Sequence, residues 1–588
     1  MVKIQNGKKV TLEEILDVAN GEEIHADEQV YKMLDKRRAQ ITAYIKAQNE
    51  PAYGFNRGFG HNVDLAVDDY KLWGKLQENL ILSHACGMGD PVPVKVVRAT
   101  MFLRAISLAK GNSAVRSDVV KTIITMLNKK IIPEVPRYGS VGASGDLAPM
   151  SHIALGMIGR GYVSYGENEE RTEAGEVFKK SGTEPIQLEM KEGLALNNGI
   201  QFSAALGILS YFELKNLLKT AVITTAITTQ VMLGSDKPFR KDMHELRPHD
   251  GAMKVAGWIR ELLKGSPIRE THEPYQIDGE IQDPYNIRCA GQILGTCRDL
   301  IEEARKTLET EANSVTDNPL ILPDKNNPDE FTEIVSGGHF HGMPVAVKLY
   351  NFMQAMGIMS RLSNMRCARY VDEARNKGLG SDLKWHGLDN NQKATCSGIM
   401  ISEYTSAALT NLIWGACMPI HLFSLSTDAG QEDHVSMSAG LGARVWETIP
   451  RLADILAIEL AMGTQAASVR KTMDYIPSKI KLSEEEKEKT KSVREDYECE
   501  LTQALKERFE KKGEKFRINL DVKLEHVLDN KNKQFLSKPC EEIVDEIMKI
   551  FPTVKEDRYM AEELKELSDF ILSGKLVEIA DKQNIFET

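Results

Sequence analysis

Aromatic residues are scarce in this chain, 6% of 588 positions, and several other residue types are informative mainly through what they omit. Few aromatics beside 42% hydrophobic residues, with Ala, Leu, Met, Glu and Lys recurring in long stretches, favour helix over sheet. The eight cysteines include no C-x-x-C pair. A zinc site or disulfide framework is therefore not indicated, and reduced core thiols are expected. Basic residues are the minority charge, and the formal net charge of −11 argues against a nucleic-acid role, which needs a concentrated basic face. A small soluble substrate suits this balance better. Met1 to Gly7 lack the apolar core of a secretory signal, so a cytoplasmic protein is expected. The most apolar run, around Ala221 to Leu233, is Thr-rich and falls below the roughly 20 residues that cross a bilayer, and is read as a buried helix. No internal repeat is visible, and no low-complexity tract beyond one charge-rich stretch near the C-terminal end.

What is present is concentrated in Gly139-Ser140-Val141-Gly142-Ala143-Ser144-Gly145-Asp146-Leu147-Ala148-Pro149. The spacing fits neither the dinucleotide fingerprint G-x-G-x-x-G nor a phosphate loop with G-K-[ST]. The nucleophile elbow G-x-S-x-G fails as well, since Asp146 stands where the last glycine belongs. Small residues around Ala143-Ser144-Gly145 allow the backbone to bend back on itself. Attack of the Gly145 nitrogen on the Ala143 carbonyl carbon, with loss of two waters, would close a five-membered ring bearing a methylidene group from Ser144. Glycine at the attacking position leaves the nitrogen free to approach. Such self-modification makes an electrophile without a separate cofactor.

This run resembles the signature of the aromatic amino acid ammonia-lyases, whose Ala-Ser-Gly forms the 4-methylideneimidazole-5-one (MIO) group. The resemblance implies a mainly α fold: an elongated helical bundle of the histidine ammonia-lyase type, with a smaller mixed N-terminal region carrying the MIO loop. Other family blocks follow in order. Tyr53-Gly54-Phe55-Asn56-Arg57-Gly58-Phe59-Gly60 is similar to the mobile loop whose tyrosine removes the β-proton. A tyrosine pKa near 10 needs lowering for that task, and Arg57 is expected to lower it. Asn198 matches the asparagine that polarises the ring carbonyl. Gln282-Asp283-Pro284-Tyr285-Asn286-Ile287-Arg288 matches the block in which Arg288 binds the substrate carboxylate and Tyr285 assists proton transfer.

The side-chain pocket follows from the same resemblance. His84 and Glu432, the latter in Gln431-Glu432-Asp433-His434-Val435-Ser436-Met437, resemble the histidine-type enzymes, with Glu432 facing an imidazole. A carboxylate suits a ring that donates N–H and is costly beside a phenyl group. Phe340 and Met400 match pocket-lining positions, and Gln282 a substrate-binding one. The implied reaction takes ammonia from L-histidine to give trans-urocanate. The alternative is an MIO-dependent lyase or 2,3-aminomutase for another aromatic or related amino acid, since Arg57, Asn197, His339, Glu403 and Gly430 depart from the histidine-type pattern. A non-catalytic helical scaffold is the third alternative. His339 and His341 flank one residue, but without a carboxylate or cysteine partner at suitable spacing no metal is expected. Relatives are homotetramers with active sites shared between subunits.

Four regions are expected: residues 1–195 with the Tyr loop and MIO-forming tripeptide, a central helical bundle over 196–478, a charged helical insertion over 479–545, and C-terminal helices over 546–588. Apolar residues three and four apart predict long helices over Ile208 to Leu233, Ala346 to Cys367 and Ile449 to Thr464. A short hairpin or irregular excursion is expected between Ser164 and Lys191. In the charged insertion, Ser483 with Glu486 forms a capping-box start, and Val493, Tyr497, Leu501, Leu505 and Phe509 make one apolar stripe of a solvated surface helix.

Overall fold

The computed structural model describes residues 1–48, 52–60, 63–272, 282–324, 327, 330–472, 475–478, 520–523 and 535–587. The fold is mainly helical. The chain forms two compact units, one from Met1–Leu214, Leu300–Gln354 and Ala416–Ile449, the other from Lys215–Asp299, Ala355–Gly415 and Pro450–Thr588.

In the first unit, the helix Val94–Ala109 is buried on all sides from Val96 onward, Arg98 and Arg104 included. A helix apolar all round belongs in a core, and a cation there survives only with its N–H groups taken up. Arg98 donates to the Val18 carbonyl at 2.8 Å and the Leu127 carbonyl at 2.9 Å. Arg104 donates to the carbonyls of Ala195 and Asn198 and to Gln201 Oε1, thereby tying three positions around residues 195–201 to one side chain. The expected excursion after Ser164 is a hairpin: Tyr162–Tyr165 pairs antiparallel with Glu170–Glu173 and, on its other edge, with Ile131–Pro133.

In the second unit, the Thr-rich apolar run lies within the helix Gln201–Val231, and its threonines are buried. They satisfy themselves locally: the hydroxyls of Thr224 and Thr225 donate to the Ala221 carbonyl, and that of Thr229 to the Thr225 carbonyl. Buried Glu459 gathers Thr228 Oγ1, Ser363 Oγ and the Arg366 guanidinium, the last at 2.9 Å from Nη2. The other predicted long helices are Met343–Val371 and Ser438–Lys471. Ser438–Lys471 is long and apolar enough to cross a membrane, but 94% of its most apolar window is buried in the protein. Among the described cysteines, all free, Cys297, Cys367 and Cys540 are buried as expected, whereas Cys86 is exposed. The capping box at Ser483 and Glu486 and the stripe from Val493 to Phe509 lie outside the described residues.

One buried carboxyl fixes the loop that carries Ala143-Ser144-Gly145. Asp146 precedes the helix Leu147–Met157 and accepts from the Ser203 amide and hydroxyl, both at 2.8 Å, and from Ser140 Oγ at 2.9 Å. Burial lifts its pKa from 3.8 to about 6, against the pull of these donors. The folded state therefore favours the protonated carboxyl. That contribution is complete below pH 3.8 and disappears as pH rises through about 6, a loss of about 3 kcal/mol. We expect the Tm difference between wild type and Asp146→Asn to shift against wild type between pH 4 and 6 and to level off above, read by differential scanning calorimetry.

Candidate active site

The tripeptide loop is shaped by glycines that no other residue can replace. Gly142 and Gly145 have φ of 63° and 86°, in the left-handed region that favours glycine. Space is as restrictive as conformation. A Cβ on Gly142 would stand 2.3 Å from Ser436 Oγ, and one on Gly145 would stand 2.4 Å from the Gly199 carbonyl oxygen. Backbone bonds hold both sides of the turn, from Asp146 N to the Gly199 carbonyl at 2.7 Å and from Met437 N to the Val141 carbonyl at 2.8 Å. Ser436 Oγ donates to the Gly142 carbonyl at 3.0 Å.

Ser144 is addressed from two directions. Its carbonyl oxygen accepts from Asn198 Nδ2 at 2.8 Å, and its hydroxyl donates to Glu432 Oε1 at 2.6 Å. Asn198 ends the helix Glu192–Asn197 and is almost fully buried, with its own carbonyl taken by Arg104. Its Oδ1 is buried without a hydrogen-bond partner among the described residues. These contacts agree with the atom balance of ring closure: the oxygens of the Ala143 carbonyl and the Ser144 hydroxyl leave as water, so the Ser144 carbonyl oxygen is the one the ring keeps. Asn198 faces that oxygen. The residues present therefore fit an MIO group.

Tyr53 lies in the same unit, mostly buried, with Phe59 edge-on at 6.1 Å. Its hydroxyl accepts from the Gly60 amide at 3.3 Å. Burial holds the phenol above its ordinary pKa, reinforced by the charges of Asp428, Glu432 and Asp317 and opposed by the Gly60 hydrogen bond. The expectation that Arg57 lowers this pKa is corrected here: Arg57 Nη1 donates to the Asp64 carbonyl at 3.1 Å, across its own loop, and the phenol shifts upward. Beneath the loop, Gln77 Nε2 donates to the Gly54 carbonyl at 3.1 Å. A Cβ on Gly54 would meet the Lys191 side chain, which is fully buried and paired with equally buried Asp317 at 2.8 Å.

His84 ends the helix Trp73–His84, with Nδ1 2.9 Å from Ser83 Oγ. Burial depresses its pKa, while Glu432 and Asp428 act to raise it. Glu432 is positioned by a tight loop: Thr427 and Glu432 pair backbone to backbone, and Thr427 Oγ1 donates to Glu432 Oε2 at 2.7 Å. Phe340 is half-buried in the loop before the helix Met343–Val371. The first unit thus contains Tyr53, His84, Ala143, Ser144, Gly145, Asn198, Phe340 and Glu432, while Gln282, Tyr285, Arg288 and Met400 belong to the second. There the Arg288 guanidinium lies 4.8 Å over the Tyr285 ring and donates from Nε to the Asp283 carbonyl at 3.1 Å. Of the departures from the histidine-type pattern, Asn197 is buried and donates to Ser151 Oγ, and His339 is exposed. His341 contacts His434, and among the described residues no group of three or more His, Cys, Asp or Glu suits a metal ion. The supporting residues that sequence reasoning missed are Arg104, Asp146, Lys191 and Asp317. A charged residue inside an apolar run was the available signal for Arg104.

The arrangement places a carboxylate on the hydroxyl and a buried amide on the carbonyl of one serine, with the charge of that carboxylate felt by both Tyr53 and His84. A family model described as aromatic amino acid lyase matches residues 10–496. The chain is 39% identical over 459 residues to a histidine ammonia-lyase from Deinococcus radiodurans, covering 78% of this chain and 84% of that one. Among solved structures it is similar to a tyrosine aminomutase from Streptomyces globisporus, at 26% identity and TM-score 0.80 over 98% of each chain. It is likewise similar to a histidine ammonia-lyase from Trypanosoma cruzi, at 26% identity and TM-score 0.78 over 100% of this chain and 97% of that one. With the family match spanning most of its length, the chain belongs to the aromatic amino acid lyases, carbon–nitrogen lyases of helical fold.

Proposed function

We propose that this lyase removes ammonia from L-histidine to give trans-urocanate, using an MIO group formed from Ala143, Ser144 and Gly145. The observation that carries the reading is the 2.6 Å contact between Ser144 and Glu432, which brings the side-chain-reading carboxylate to the residue that supplies the reacting carbon. An imidazole donates N–H to such a carboxylate, whereas a phenyl ring desolvates it and leaves Oε1 without a donor, at a cost of about 1–3 kcal/mol. His84, responding to the charge of Glu432, belongs to the same pocket in this reading.

The MIO group supplies an electrophile that turns the substrate amine into a better leaving group. The chain's own residues do the rest. Asn198 Nδ2 holds the Ser144 carbonyl oxygen and favours negative charge on it. Tyr53 takes the β-proton at its phenolic oxygen, and the Gly60 amide steadies the phenolate that the task requires. Arg288 binds the substrate carboxylate through its planar fork, with Tyr285 assisting proton transfer and Gln282, Phe340 and Met400 lining the substrate's path. The assembly proposed is a homotetramer with shared active sites, acting in the cytoplasm. The aminomutase alternative is favoured by one observation, the likeness to the Streptomyces globisporus tyrosine aminomutase, and NMR of the product separates the two because only a mutase yields a β-amino acid.

Intact-mass measurement tests the electrophile directly: wild type should be lighter than its sequence by two water molecules, and Ser144→Ala should carry its full sequence mass and show no turnover. Tyr53→Phe should retain the mature mass and lose roughly 100- to 10,000-fold in kcat, followed by urocanate absorbance. Glu432→Gln should lower kcat/KM for histidine at least about tenfold more than for phenylalanine, the expected loss for one buried charged hydrogen bond.

A further inference from the structure

The carboxylate nearest the Tyr53 loop has no role in the reaction so far. Asp428 sits in the loop closed by Thr427 and Glu432, where Asp428, Ala429 and Gly430 have successive φ of 49°, 53° and 92°. Three left-handed residues in a row are costly for any but Gly, Asn and Asp, so the chain accepts strain at Ala429 to aim this turn. The turn aims Asp428 at the Tyr53 loop: a Cβ on Gly60 would stand 2.6 Å from Asp428 Oδ2 and 3.3 Å from Oδ1. Gly60 is the residue whose amide donates to the Tyr53 hydroxyl.

The surrounding charges leave Asp428 uncompensated. Asp317, whose charge also acts on Tyr53, is neutralised by its pair with Lys191, and Arg104 lies close enough to interact with both. Glu432 is held by the Thr427 hydroxyl, and by that of Ser144 until ring closure removes it. Arg57 is turned to Asp64. His84 faces both Asp428 and Glu432, but burial lowers its pKa and keeps it neutral near pH 7. Asp428 itself is exposed, and among the described residues no donor reaches its carboxylate. A free negative charge thus stands against the segment that binds the phenol, and opposes its ionisation.

We propose that Asp428 is a positioning residue that reports substrate charge to Tyr53: its carboxylate, lodged against Gly60, keeps the phenol protonated until a cationic group of the substrate, its ammonium or a protonated ring, pairs with it and releases the phenol to act as base. This rests on Tyr53 being the base, as in the function proposed above. It makes Asp428 a specificity element for side chains that carry positive charge, beyond the hydrogen-bonding role given to Glu432.

Asp428→Asn removes the charge and keeps a residue that tolerates positive φ, so the turn should persist; an unchanged Tm verifies this. Phenolate absorbance is titrated in substrate-free wild type, Asp428→Asn, Tyr53→Phe and the double variant, so that subtraction isolates Tyr53. The expected result is a Tyr53 pKa about one unit lower without the carboxylate. In steady-state kinetics with the amino acid the enzyme turns over, the acidic limb of kcat/KM, which reports free enzyme, should move down by about the same amount, while the limb of kcat moves by less than half of it. An unmoved Tyr53 titration, or kcat and kcat/KM limbs that move together, overturns the proposal. A lowered phenol pKa in protein that turns over another amino acid but not histidine removes the substrate assignment and supports the charge coupling.

Discussion

The close approach of two backbones, Gly145 against Gly199, is the constraint on which this structure turns. No side chain fits between them, and the amide of Asp146 closes the contact by donating to the Gly199 carbonyl. The contact sets Ser144 beside Asn198, the residue just before Gly199, so that a single backbone pairing delivers both the loop and the amide that polarises it. Two buried charged side chains of the first unit keep that pairing in place. Arg104 ties the carbonyls of Ala195 and Asn198 to Gln201, while Asp146 ties the loop to Ser203.

The buried ions around this contact are better explained by placement than by stability. Burial holds Arg104 down to a pKa of about 10 against the charge of Asp317, and Lys191 is likewise depressed by burial despite its pairing with Asp317. Taking such charges out of water costs energy that an apolar core would not incur, and the return is a fixed geometry. The guanidinium can reach several carbonyls at once, and that reach holds an irregular segment where no helix or sheet ladder would satisfy the backbone.

Much of this was legible in the sequence, for reasons that differ by element. The long helices over Gln201–Val231, Met343–Val371 and Ser438–Lys471 were visible because apolar spacing repeats over many turns. The loop at Gly139 to Asp146 was visible because its chemistry requires a fixed order of small residues. What one sequence could not display was pairing at a distance. Lys191 and Asp317 are 126 positions apart, and Ser144 and Glu432 are 288 apart. Arg57 failed for a related reason: adjacency in sequence suggested an effect on Tyr53, whereas the loop folds so that the guanidinium serves the Asp64 carbonyl.

The anchoring of the tripeptide loop by Ser436 and Met437 has a consequence for timing. These residues are made nearly 300 positions after the loop, so on a growing polypeptide the Val141 and Gly142 carbonyls lack these two donors until the start of the Ser438–Lys471 helix has been synthesised. In the function proposed above, a reactive alkene would accordingly form late, once the start of that helix has docked.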